Sequence, residues 1–189
     1  MNAVTLTLII VAVAAIAFGV FMYIQKERTR RLRGQFGPEY DRLLDDKGNQ
    51  RKVEDELLKR QKRIEKLHIR DLTQAESDRF NSAWRSVQAK FVDAPSAAVA
   101  EADRLVRDVM TARGYPMSDF EQRAADISVD HPHVVQNYRA ARDIAARDAG
   151  GKASTEDLRQ AMVHYRALFE DLLSTAPITA DNHIQEARR

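Results

Sequence analysis

The chain has 189 residues, with 30 basic and 28 acidic side chains, five histidines and no cysteine. That length allows one domain with a real core. The missing cysteines exclude disulfides, thiolate nucleophiles and cysteine-based zinc sites. Five of the basic residues and one acid fall within residues 25–33, so the remaining chain is close to neutral, which argues against a dedicated nucleic-acid binder.

Taken in order, the first feature is Ala3–Ile24, which has no charged side chain. As a helix it would extend roughly 33 Å, enough to cross the hydrocarbon core of a bilayer. It lacks a basic leader and runs into charge through Phe21, Met22, Tyr23 and Ile24 instead of a small-residue cleavage site, so it reads as a retained anchor and not a cleaved signal. Lys26, Arg28, Arg30, Arg31 and Arg33 follow against the single acid Glu27. Basic flanks stay cytoplasmic, so the expectation is a single-pass membrane protein with its N-terminus outside and residues 25–189 in the cytoplasm. Ala15 and Gly19 form a small-xxx-small pair through which two such helices could form a homodimer.

Gly34 and Gly37-Pro38 are expected to break this helix, with a short helix over Pro38–Asp46 and a turn at Lys47-Gly48-Asn49. Gln50–Leu67 is predicted as a charged helix with a thin stripe of Val53, Leu57, Ile64 and Leu67. Arg60 interrupts that stripe, which leaves a partner-facing amphipathic helix or, as the preferred reading, an Arg60 that snorkels on the domain's own surface. The run Lys59–Arg63 is interleaved with acids at helical distances, so it reads as a solvated face and not a nucleic-acid patch.

Thr73 and Glu76 have capping-box spacing before a stripe of Phe80, Ala83, Trp84, Val87 and Phe91. Pro95 opens the next helix, and Gly114 stands where a left-handed cap ends it. Ser118–Glu121 matches a second capping box, ahead of Phe120, Ala124 and Ile127. A helix starting at Pro132 carries Val135, Tyr138, Ala141 and Ile144, and Gly150-Gly151 ends it. Ser154–Asp157 caps the last one, with Leu158, Tyr165, Leu168, Phe169 and Leu172 inward. No stretch shows a period of two. The expected fold is all-α: a transmembrane anchor with its basic segment (1–33), a charged helical stalk (34–72), a compact bundle of about five helices (73–175) and a disordered tail (176–189).

Asp130, His131, His133 and His164 are the residues best suited to a metal or a small ligand. A metal site needs three or more converging donors, and Pro132 sets the two neighbouring histidines on different backbone geometries. The plainer expectation is that Asp130 or His131 caps a helix and that His164 is a structural, hydrogen-bonded histidine. No glycine-rich phosphate loop, serine elbow or zinc-protease helix is present, so no catalytic residue and no cofactor is assigned.

Phe36-Gly-Pro-Glu-Tyr-Asp-Arg42, Arg63-Ile-Glu-Lys-Leu67, Asp119-Phe-Glu-Gln-Arg-Ala-Ala-Asp126 and Val129-Asp-His-Pro-His133 together resemble an uncharacterised set of bacterial membrane-anchored helical proteins, over most of residues 30–175. The resemblance implies architecture and carries no activity. The functional expectation is a membrane-tethered adaptor or scaffold with protein partners, without catalysis and without nucleic acid. The alternative is a sensor or regulatory subunit that binds a small ligand or metal near Asp130–His133.

Overall fold

The computed structural model describes residues 3–174, with side chains from Val11 onward. The tail expected over 176–189 lies outside the described residues. The eight helices described are α1 (Ala3–Phe36), α2 (Pro38–Lys47), α3 (Gln50–Ile64), α4 (Gln74–Lys90), α5 (Pro95–Arg113), α6 (Phe120–Asp130), α7 (Val135–Ala149) and α8 (Thr155–Ser174). Among the described residues there is no strand.

Local sequence accounts for most helix ends. Thr73 Oγ1 accepts from the Glu76 amide and the Glu76 carboxylate accepts from the Thr73 amide, the reciprocal cap that starts α4. Ser154 and Asp157 make the same exchange at the start of α8. Asp119, not Ser118, caps α6, accepting from the Gln122 amide at 2.9 Å. Gly48 and Gly114 end α2 and α5 with φ of 59° and 98°, a region that a side chain strains. At Gly114 a Cβ would lie 2.5 Å from the His68 carbonyl oxygen, so glycine is required there twice over.

Three expectations are corrected at this level. Gly34 does not break α1, which stays helical to Phe36; only Gly37, with φ 47°, turns the chain. Helix α7 starts at Val135 and not at Pro132, because His131–Val134 closes its own turn, with the Val134 amide donating to the His131 carbonyl at 3.3 Å. Arg60 does not snorkel, since it is buried within a network of charges described below.

α8 lies at the centre, packed along α7 and α5, and α4 covers α5. Trp84 stacks on Phe169 with ring centroids 4.8 Å apart, joining α4 to α8. Phe120 tilts against Tyr138 at the α6–α7 contact. Fully burying a large apolar side chain contributes about 1.5–3 kcal/mol, and α8 supplies Leu168, Phe169 and Leu172 to this core. The first three helices join the same core, with Leu32, Phe36, Tyr40, Leu43, Val53 and Leu57 all buried and continuous with it. α3 meets α6, and α2 meets α7.

Among the described residues no helix is long and apolar enough to cross a membrane. This overturns the expected single-pass anchor and, with it, the assignment of an outside N-terminus and a cytoplasmic bundle. The physical reason lies in how α1 continues. Beyond Ile24 the helix carries straight on through Gln25–Arg33 and buries Leu32 and Phe36. The side chains of residues 3–10, the first part of the expected span, lie outside the described residues.

Candidate interaction site

The residues singled out at 130–133 and 164 take separate partners. His131 is almost fully buried; its Nδ1 meets Asp171 Oδ2 and its Nε2 has no hydrogen-bond partner among the described residues. Asp130 Oδ2 accepts from the Tyr115 hydroxyl at 2.7 Å. Burial, followed by the Asp130 charge, pushes the Tyr115 phenol far above its ordinary value. His133 is exposed. His164 is half-buried, with Nδ1 3.0 Å from the Asn137 side-chain oxygen. Among the described residues no group of three or more potential ligands could hold a metal ion. Buried Arg113 donates to the Leu172 carbonyl at 2.6 Å. The corner thus fastens the ends of α5, α6 and α8 together.

Sequence reading missed the most elaborate polar cluster, which centres on Glu39. Its carboxylate is fully buried. Arg42 donates to both oxygens at 2.9 Å, Arg60 to Oε1 at 3.0 Å, Gln136 to Oε2 at 3.0 Å and Arg139 to Oε1 at 3.4 Å. Arg60 also reaches Ser128 and Glu56, while Arg139 reaches Glu121. Burial pushes the Glu39 carboxyl up, but the hydrogen bonds and charges of Arg42, Arg139 and Arg60 outweigh it and hold the group below its ordinary value. One signal pointed here: an arginine in the apolar stripe of α3 needs a buried acid, and Glu39 lies one turn before buried Leu43 on the same face of α2.

A second buried acid, Glu54, locks α1 onto α3. Thr29 donates to its Oε1 at 2.6 Å, Gln50 to the same oxygen at 2.8 Å, and Arg28 lies 3.3 Å from Oε2. The basic residues expected to flank a membrane therefore divide. Arg28 pairs with Glu54 and Asp55, and Arg33 with Asp41, so both serve the bundle. Lys26, Arg30 and Arg31 are exposed.

The chain matches no family model, no curated protein and no solved structure.

Most of the exposed large apolar side chains among the described residues lie just N-terminal to the Glu54 lock. Val11, Val13, Ile16, Phe18 and Tyr23 are each 60–70% exposed, and Val20, Phe21, Met22 and Ile24 are 50–58% exposed. Together they present on the order of 1,000 Å² of apolar side chain, beyond the few hundred Å² a monomer tolerates in one patch. A Cβ at Gly19 would meet nothing within 4 Å, so this side of α1 has no neighbour among the described residues. The helix is apolar on all sides here but is rooted by Leu32 and Phe36 in a well-packed core.

Proposed function

We propose that this chain is a non-catalytic helical interaction module, an adaptor whose docking element is the apolar half of α1 between Val11 and Ile24. The exposed apolar helix rooted in a packed bundle carries this reading. Its partner is a protein helix, either on another protein or on a second copy of this chain packed over Ala15 and Gly19. Small residues there let a second backbone approach closely. Burying half of the exposed surface against one helix would give an interface near the lower size limit for specific association, about 1,000 Å² counted over both partners. The bundle holds this element in a fixed direction through the Glu54 lock.

The test places a photoreactive p-benzoylphenylalanine at position 18 of the full chain in its native cells. Irradiation is expected to yield one or a few discrete protein adducts, and replacing Ile16 and Val20 by asparagine should abolish them. Adducts formed only with lipid, or no adduct above background, would refute the proposal.

A further inference from the structure

At the base of α1, the turn between α2 and α3 leaves a groove of about 1180 Å³. Its two sides differ in chemistry. Phe21 and Met22, each about half exposed, form an apolar wall. Lys26, Arg30 and Arg51 form a cationic rim, and none has an ion-pair partner among the described residues. The nearby acids do not neutralise that rim. Glu54 is held by Thr29, Gln50 and Arg28, Asp55 by Arg28, and Asp41 by Arg33. The N-terminus of α3 opens at the same rim, where a helix start favours negative charge.

We infer that this groove binds an anionic single-chain amphiphile of the alkyl phosphate class. Its charged head sits among Lys26, Arg30 and Arg51, and its chain follows α1 past Met22 and Phe21. Charge complementarity selects the head, and the continuous apolar surface from Met22 toward Val11 selects the tail. The groove is somewhat larger than the roughly 300–1,000 Å³ typical of a small-molecule pocket, so a head with the start of a chain fills it better than a free ion. Glu54 is neutralised from within, so an arriving anion meets cations first. The head site is read from the residues at the base of the helix, while the tail would share the apolar face between Val11 and Ile24 with the helix docking proposed above.

The full chain, held in dodecyl maltoside, would be mixed with dodecyl phosphate at low molar excess and examined by native mass spectrometry. The neutral maltoside saturates purely apolar attraction, so a retained adduct reports recognition of the head. One dodecyl phosphate per chain is expected, and its retention should fall as salt rises. Combining Lys26→Gln, Arg30→Gln and Arg51→Gln should weaken it about tenfold or more. Arg31→Gln, on the same helix but outside the groove, should leave it unchanged, and circular dichroism verifies that each variant is folded. Equal retention of inorganic phosphate would reduce the groove to a phosphate site and overturn the inference. So would unchanged binding by the triple variant, or displacement of dodecyl phosphate by an equimolar acidic peptide.

Discussion

Replacing Glu39 by glutamine removes one charge and almost no volume, which isolates the electrostatic role of the buried hub. In the native protein this carboxylate is fully buried and neutralises guanidinium groups from three helices. Glutamine keeps one acceptor oxygen but no charge. The cost falls mainly on Arg60, whose side chain is 9% exposed and has little access to water. Removing one partner of a buried ion pair typically costs about 3–5 kcal/mol. Arg60 retains Glu56 at 3.3 Å and Arg139 retains Glu121 at 2.7 Å, so the low end applies, about 3 kcal/mol. For a chain of this size that lowers the melting temperature by about 6–12 °C.

The pH dependence follows from the direction of the Glu39 shift. The folded carboxyl titrates below its reference value of 4.5, so the unfolded chain binds more protons in the interval between the two. Its stabilisation is complete above about pH 4.5 and is lost as pH falls through the folded value. The gap between the native protein and Glu39→Gln should therefore close in acid. Urea unfolding, followed by far-ultraviolet circular dichroism and by the fluorescence of the single tryptophan, Trp84, measures both effects. A loss smaller than about 1 kcal/mol at pH 7, the range of exposed pairs, would refute the reasoning, as would a gap that persists unchanged at pH 3.

Two further substitutions probe the fold from other directions. Burial pushes the Asp126 carboxyl above its ordinary value despite hydrogen bonds from Gln122 and Arg63, and its Oδ2 has no hydrogen-bond partner among the described residues. Because the folded form binds its proton more tightly, this group's contribution is lost as pH rises through the folded value. Asp126→Asn should therefore raise the urea midpoint at pH 7 and gain nothing at pH 3; a lower midpoint at neutral pH would contradict this. Gly114→Ala combines a left-handed backbone with a Cβ placed 2.5 Å from the His68 carbonyl, and should cost about 3 kcal/mol in the same unfolding assay.

Much of the fold could be read from residues close together in sequence. The capping pairs Thr73–Glu76 and Ser154–Asp157, the prolines at the starts of α2 and α5, and the caps at Gly48 and Gly114 all act within one or two turns. Trp84 was legible as core because its stripe has helical period, and it stacks on Phe169. What sequence reading missed depends on partners far along the chain. Arg60 looked like a surface residue because nothing in α3 itself shows that Glu39 will lie 3.0 Å away. His131 looked like part of a two-histidine corner because its real partner, Asp171, is 40 residues distant. The apolar start of α1 was read as a membrane span because hydropathy alone does not show that the same helix continues through Arg33 into a core. Of the basic cluster expected to flank a membrane, two of the five members, Arg28 and Arg33, pair with acids of the bundle, which their neighbours in sequence do not show.

The reach of Glu39 sets an order of events when the chain is made. Its contacts to Gln136 and Arg139 span 97 and 100 residues, so the acid leaves the ribosome long before two of its partners exist. Until α7 has emerged, α1–α3 hold a carboxylate whose final environment is incomplete, and burying it early would be costly. The N-terminal third is therefore synthesised first and finished late. A nascent chain stalled before residue 136 holds Glu39 through Arg42 and Arg60 but lacks the contacts of Gln136 and Arg139.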